Sequence, residues 1–287
     1  MGHKGGLTVK KSDTKQIVTA KSKEEATTSS VTTIETHLGT IVTIPGIKTK
    51  ILRSLIIGDA PLVVHSFPAR TRTAIRGKHM GEASGGREKK DPIANFQAAR
   101  YIAEGGWDGV PAGGLKACIV AGFNKNTGVA RSDATGGIRV KADGRDLNSN
   151  MDLVRLILPE EPKEIAKLPH FINGPGRVPR CREDVVRNDT GVVDIRHRPE
   201  YWPWAVLLEI TFDPGVCSER QLLQATAVSG FRVGLCEWRP KSKKSLSGQW
   251  GTFRLATAAE IELFEKGELF GDYDWSLAKQ EFAEAAE

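Results

Sequence analysis

The chain has 287 residues, of which 26% are charged and 39% hydrophobic, and its mean hydropathy of -0.30 excludes both a membrane span and disorder throughout. The formal net charge of +6 is unevenly spread: residues 260–287 hold nine acids against Lys266 and Lys279, leaving +13 on the first 259 residues and -7 on the end. A basic body with a segregated acidic end points to a polyanionic partner, nucleic acid first; the plainer alternative is a basic soluble protein that binds nothing anionic.

In chain order, residues 1–35 are rich in Lys, Thr and Ser, carry no aromatic residue and read as a disordered basic arm. Order is expected from 36 to 258, in one domain, with 259–287 as an acidic tail. β-branched runs bounded by Pro and Gly predict strands over 39–44, 51–57 and 61–67. Residues 70–90 follow, with seven Lys/Arg, two acids and four glycines, a composition that predicts a long exposed basic loop carrying Arg70, Arg72, Arg76, Lys78, Arg87, Lys89 and Lys90. Asp91-Pro92 predicts a helix N-cap with Pro at N1, for a helix ending at Gly105-Gly106. A second helix is expected from about Pro111, because Leu115, Cys118, Ile119 and Gly122 recur at helical spacing. Its first turn, Ala112-Gly113-Gly114 followed by Lys116, leaves backbone N–H groups open beside a cation. That suits either a phosphate cradle or close helix packing.

Residues 123–190 alternate Gly, Asn, Asp and Pro with short apolar pieces at 138–140 and 153–158. They hold a second basic cluster, Arg177, Arg180, Arg182 and Arg187, which serves either phosphate contact or local pairing with Glu183 and Asp184. In 205–212, Val206, Leu208, Ile210 and Phe212 alternate with Leu207, Glu209 and Thr211, the period of a half-buried strand. After the turn Asp213-Pro214-Gly215, Ser218 and Gln221 predict a capping box, opening a helix over 219–229 that Gly230 stops. Strands are expected over 232–238 and 250–255, joined by a loop containing Lys241, Lys243, Lys244 and Gly248. Strand, helix, strand and hairpin strand follow the split β-α-β logic of a ferredoxin-like domain. The fold class expected is therefore α+β, a ferredoxin-like (RRM/RAMP-like) antiparallel sheet with long insertions.

The same stretch carries a resemblance. Gly234-Leu235-Cys236-Glu237-Trp238-Arg239-Pro240, followed by Gly248-Gln249-Trp250-Gly251-Thr252-Phe253, resembles a pattern of uncharacterised phage and prophage proteins. Asp194-Ile195-Arg196-His197-Arg198-Pro199 and the run from Arg87-Glu88-Lys89-Lys90-Asp91-Pro92 to Gly114-Leu115-Lys116 extend it across residues 50–255. A final helix and strand with a glycine-containing basic loop also resembles the RAMP superfamily, the RNA-binding backbone subunits of CRISPR effector complexes, with lysine and serine where that superfamily has a tighter glycine run. The resemblance implies a module gripping nucleic-acid backbone, often as a repeated subunit. Met1-Gly2-His3-Lys4 leads into polar sequence that does not read as a signal peptide, so the compartment expected is the cytoplasm, of a bacterial host cell on the phage resemblance.

The chemistry of the residues runs the same way. Cations on exposed segments hold phosphates, and flat side chains stack bases. Trp238, Arg239, Trp250 and the aromatics of 201–204 interleave with Arg196, Arg198 and the lysines at 241, 243 and 244. The expected partner is single-stranded RNA or DNA, bound by a homo-oligomer or by a subunit of a larger complex, with no membrane partner. Four scattered cysteines and six dispersed histidines give no readable metal site, and no cofactor is expected. Two alternatives stand beside this reading. One is a phage structural or assembly protein. The other is a metal-dependent nuclease built on Asp194, His197 and Glu200, with His65 or His79 as base; salt bridging among the neighbouring arginines is the simpler use of those acids, so no catalytic residue is assigned.

Overall fold

The computed structural model describes residues 32–35, 41–44, 46–67, 69–82, 89–123, 127–187, 191–242 and 248–286. Arg87, Lys243, Lys244 and residues 1–31 of the expected arm lie outside these. The last residues of that arm form a strand instead: β1 (Thr32–Glu35) pairs antiparallel with β2 (Ile41–Ile44).

The chain continues through β3 (Lys50–Gly58), β4 (Leu62–Val63), α1 (Ala69–His79), α2 (Pro92–Ala98), β5 (Gly109–Pro111) and α3 (Ala112–Gly122). Next come α4 (Arg131–Gly137), β6 (Ile138–Val140), β7 (Gly144–Arg145), β8 (Asp152–Ile157), α5 (Lys163–Ala166), β9 (Arg180–Arg187) and β10 (Val193–Tyr201). The last third holds β11 (Ala205–Phe212), α6 (Glu219–Arg232), β12 (Phe253–Leu255), α7 (Ala258–Lys266) and α8 (Ser276–Ala286). The main sheet runs β12-β3-β11-β8-β5, with every neighbouring pair antiparallel; β6 adds to β11 and β7 to β8. A smaller sheet runs β4-β10-β9. The architecture is α+β.

The alternation of β11 sets the layers. Val206, Leu208, Ile210 and Phe212 join Ile56 and Leu156 beneath Leu115 and Ile119 of α3 and Leu222 and Ala225 of α6. The residues between them face the other way, where Leu55, Ile57 and Ala205 meet Leu207, Ile261, Phe264, Leu269 and Phe270. The start of the expected acidic tail is therefore a second covering layer: Ile261, Phe264, Leu269 and Phe270 pack on the sheet's outer face, Glu262, Glu268, Asp272 and Asp274 are exposed, and Glu260 and Glu265 are half-buried. Arg254 secures its start, gripping Glu260 through two hydrogen bonds of 2.7 and 2.8 Å while Thr257 and Glu260 form a capping box. Arg254 holds the Glu260 carboxyl down at about 2, against the opposing effect of partial burial.

Four expectations are corrected. Residues 69–79 form a helix and not a loop; Arg and Ala are good helix formers, and the helix buries only Gly77, so the expected exposure holds while the expected irregularity does not. Asp91 does cap α2, accepting from the Ile93 and Ala94 N–H groups, but the helix ends at Ala98, well before Gly105. Gly230 does not stop α6, which runs to Arg232; the missing side chain lets the helix approach β12, where a Cβ would stand 1.9 Å from the Phe253 carbonyl oxygen. The strand expected over 232–238 is absent, because Gly234, Cys236 and Trp238 adopt positive φ (67°, 59° and 51°), which breaks a pleat at every second residue.

The α3–α6 contact is close enough to be tested. A Cβ on Gly122 would lie 2.1 Å from the Ala225 carbonyl oxygen, whereas one on Gly113 meets nothing within 4 Å. Gly122→Ala should lower stability by about 1–3 kcal/mol. Gly113→Ala should leave it unchanged or raise it by up to about 1 kcal/mol. Thermal melts of the two variants check this, and equal melting temperatures would contradict the packing described.

Candidate nucleic-acid interface

Antiparallel pairing of β9 with β10 sets Arg180 opposite Glu200, Arg182 opposite Arg198 and Asp184 opposite Arg196, so one face of the ribbon is charged at every second residue. Two arginines in direct opposition repel unless acids divide them. Arg182 gives one nitrogen to Asp184 at 2.6 Å and another to Glu200 at 2.7 Å, and Arg180 reaches Glu200 at 3.3 Å. Arg198, only 1% exposed, is held by Asp184 and Glu237, both at 3.1 Å. Burial works against the Arg198 charge, and these two carboxylates sustain it.

Two indoles cover the cluster. The Arg182 guanidinium lies 3.8 Å from the centre of the Trp250 ring, and that of Arg198 lies 4.4 Å from Trp238. The indoles meet edge to face at 5.2 Å. They reach this place because the irregular segment after α6 is tied down: Glu237 N–H donates to the Val63 carbonyl and Leu235 N–H to that of Gly251. Arg239 donates to the Cys236 carbonyl at 2.6 Å. Cation–π stacking, ion pairing and backbone bonds together close the segment over the ribbon.

Several expected contact residues are thus engaged within the protein. Trp238 and Trp250 stack on arginines of their own chain, and Arg180, Arg198 and Arg239 are bonded internally. Arg177 is 9% exposed; it pairs with Glu161 at 2.9 Å and donates to the Leu168 carbonyl. The expectation that Arg177 and Arg198 lie on flexible exposed segments is therefore corrected: each is a buried tie between segments. Alternating charge in 180–187 and 193–201 was the signal that these two runs share one face.

Other cations stay available. Arg76 and Lys78 on α1, Lys89 just before α2, and Lys241 are exposed and have no partner among the described residues. Arg70 donates to Asn95 Oδ1 and Arg72 to the Asn148 carbonyl, bonds that moor α1. Lys90 pairs with Asp194, and the bond holds that carboxyl below its ordinary range. Arg196 is half-buried, 3.9 Å from Asp194. In the first turn of α3, near a half-buried Lys116, a Cβ on Gly113 would meet nothing within 4 Å and one on Gly114 only the Pro111 Cβ at 3.8 Å, so close helix packing is not what those glycines serve.

The residues of the nuclease alternative do not converge. Asp194 and Glu200 lie on one face of β10, about 20 Å apart at strand rise, and His197 lies on the other, 2.9 Å from Glu183. No group of His, Cys, Asp and Glu suited to a metal ion occurs among the described residues. Burial pushes the Cys118 and Cys236 thiols up to about 11 and about 12, which removes them as thiolate nucleophiles at neutral pH. Compared with known proteins, the chain matches no family model and no curated sequence.

Arg198→Met would leave Glu237 without its ion pair and Asp184 with Arg182 alone. It should cost about 3 kcal/mol in urea unfolding. Arg196→Met should stay within about 0.5 kcal/mol, and equal costs would contradict the assignment. Burial, then the nearby Arg177, lowers His170 from 6.5 to about 4. The unfolded chain therefore binds this proton more tightly, and stability present above pH 6.5 is lost as pH falls toward 4. His170→Gln should move the acid-unfolding midpoint to lower pH, and an unmoved midpoint would contradict this.

Proposed function

We propose that the chain is a phage-type, non-catalytic protein that binds single-stranded nucleic acid and works as a multimer in the cytoplasm of a bacterial host. The observation that carries this reading is α1: eleven residues with four Lys/Arg and no acid, burying only Gly77. A helix that contributes so little to the core, and is moored by two of its arginines while Arg76 and Lys78 face water, is suited to presenting charge to a polyanion.

Two further features support the reading. The order β12-β3-β11-β8, with α3 returning the chain from β3 toward β8 and α6 from β11 to β12, fits two split β-α-β units and hence a ferredoxin-like core of RRM or RAMP type. Part of the outer face of its sheet is covered by α7 and the residues after it, which favours a path for the strand over α1 and the basic loops. For multimer formation, the far end of the β9–β10 ribbon shows Val185, 71% exposed, opposite Ile195 and next to Val193, an apolar patch in keeping with an interface. The ribbon also favours the second reading, a phage structural or assembly protein. No described helix is long and apolar enough to cross a membrane.

The test is fluorescence anisotropy of a labelled single-stranded oligonucleotide across a salt series. Affinity should fall steeply with salt. Changing Arg76, Lys78 and Lys89 to glutamine together should reduce the slope of log affinity against log salt by about 2, since each single-strand phosphate contact contributes about 0.7. An unchanged slope would remove α1 from the interface. Absent binding, with large assemblies free of nucleic acid, would favour the structural role.

A further inference from the structure

We infer that Phe231, with Arg232 and Lys241 at the same helix end, is a base-stacking platform for single-stranded nucleic acid at the C-terminal end of α6. The inference rests on the nucleic-acid reading above but on a different part of the surface from α1.

Helix geometry places Phe231 away from the core. It lies nine residues after Leu222, which at about 100° per residue is half a turn from that residue's buried direction. It therefore shares the solvent face with Arg220, Gln224 and Ala227, all exposed. Its ring is 79% exposed, as much as any large apolar side chain described. Packing does not account for it, because α6 meets α3 and the sheet through Leu222, Ala225 and Ser229.

The chain brings two cations to this end of α6. Arg232 is the next residue, and the Lys241 N–H donates to the Val233 carbonyl at 3.2 Å, which returns the loop to the helix end. Both side chains are exposed, and neither has a hydrogen bond or ion pair to a described residue. Favourable interaction with the negative helix end accounts for a cation here, but not for a bare aromatic at the same end. A planar apolar face sharing one helix end with two cations matches one base with its adjoining phosphates. An apolar protein partner would gain nothing from either charge.

The experiment compares wild type with Phe231→Ala, Phe231→Leu and Phe231→Trp for binding to a labelled single-stranded oligonucleotide, and to the same length of abasic sugar–phosphate. At 79% exposure none of the changes should disturb the fold; matching thermal melts check this. Phe231→Ala and Phe231→Leu should each weaken oligonucleotide binding about tenfold, the scale of one lost base stack. Phe231→Trp should keep affinity and show tryptophan quenching on binding, and all four proteins should bind the abasic strand alike. If wild type binds and Phe231→Ala binds equally well, the platform is wrong and the nucleic-acid reading stands. If wild type binds neither strand at low salt, both fall. If Phe231→Leu keeps full affinity while Phe231→Ala loses it, the contact with the strand is apolar and not stacking, and the inference is overturned.

Discussion

A guanidinium withdrawn from water needs counter-charge, and the arrangement around Arg198 follows from that need. The side chain is 1% exposed, so two carboxylates must reach it, and they come from different parts of the chain: Asp184 from the neighbouring strand and Glu237 from the segment after α6. Satisfying it fixes the register of the ribbon and holds that segment against the small sheet. Trp238 is carried into place over Arg198, and Trp250 over Arg182. Such a cluster need not be the most stabilising solution, since an apolar core of equal volume does as well in many proteins. What it provides is a single arrangement, because any slip would leave a charge unpaired.

This constraint divides the basic residues into two populations with different work. Arg177, Arg180, Arg182, Arg198 and Arg254 are used inside the fold, each against an acid. Arg76, Lys78, Lys89, Arg232 and Lys241 have no such partner among the described residues. The +13 of the body therefore overstates the charge available to a ligand. Of the free cations, Arg76 and Lys78 lie on a nearly unburied helix, Lys89 just before α2, and Arg232 and Lys241 at the end of α6. The acidic segment, which accounts for the -7, is likewise structural in its apolar half: Phe264, Leu269 and Phe270 pack on the outer face of the sheet, and of its acids Glu260 is held by Arg254 while Glu262, Glu268, Asp272 and Asp274 are exposed.

Where one local rule decided the outcome, the sequence was a sufficient guide. The alternation of 205–212, the capping box at Ser218 and Gln221, and the Asp91 cap all appear as expected, because each depends on residues within one turn or one pleat. The readings that failed needed partners distant in sequence. Trp238 and Arg198 read as ligand contacts because nothing near either residue reveals the other. The run 232–238 read as a strand because its positive φ values are imposed by bonds to Val63 and Gly251. Composition read 70–90 as an exposed basic loop, and its glycine content hid the helix in the first half; residues 83–88 lie outside the described ones. Phe231 was missed because Gly230 reads as a stop, which placed it outside the helix that presents it.

The central claim is that a single strand is gripped by the cations left free, while the arginine–tryptophan cluster is internal. Lysine modification with and without a single-stranded oligonucleotide, read residue by residue by mass spectrometry, tests it most directly. Lys78, Lys89 and Lys241 should be protected by the oligonucleotide, and Lys163 and Lys167 on the α5 side should be modified equally in both states. Uniform modification at Lys78, Lys89 and Lys241, or protection confined to Lys163 and Lys167, would contradict the account.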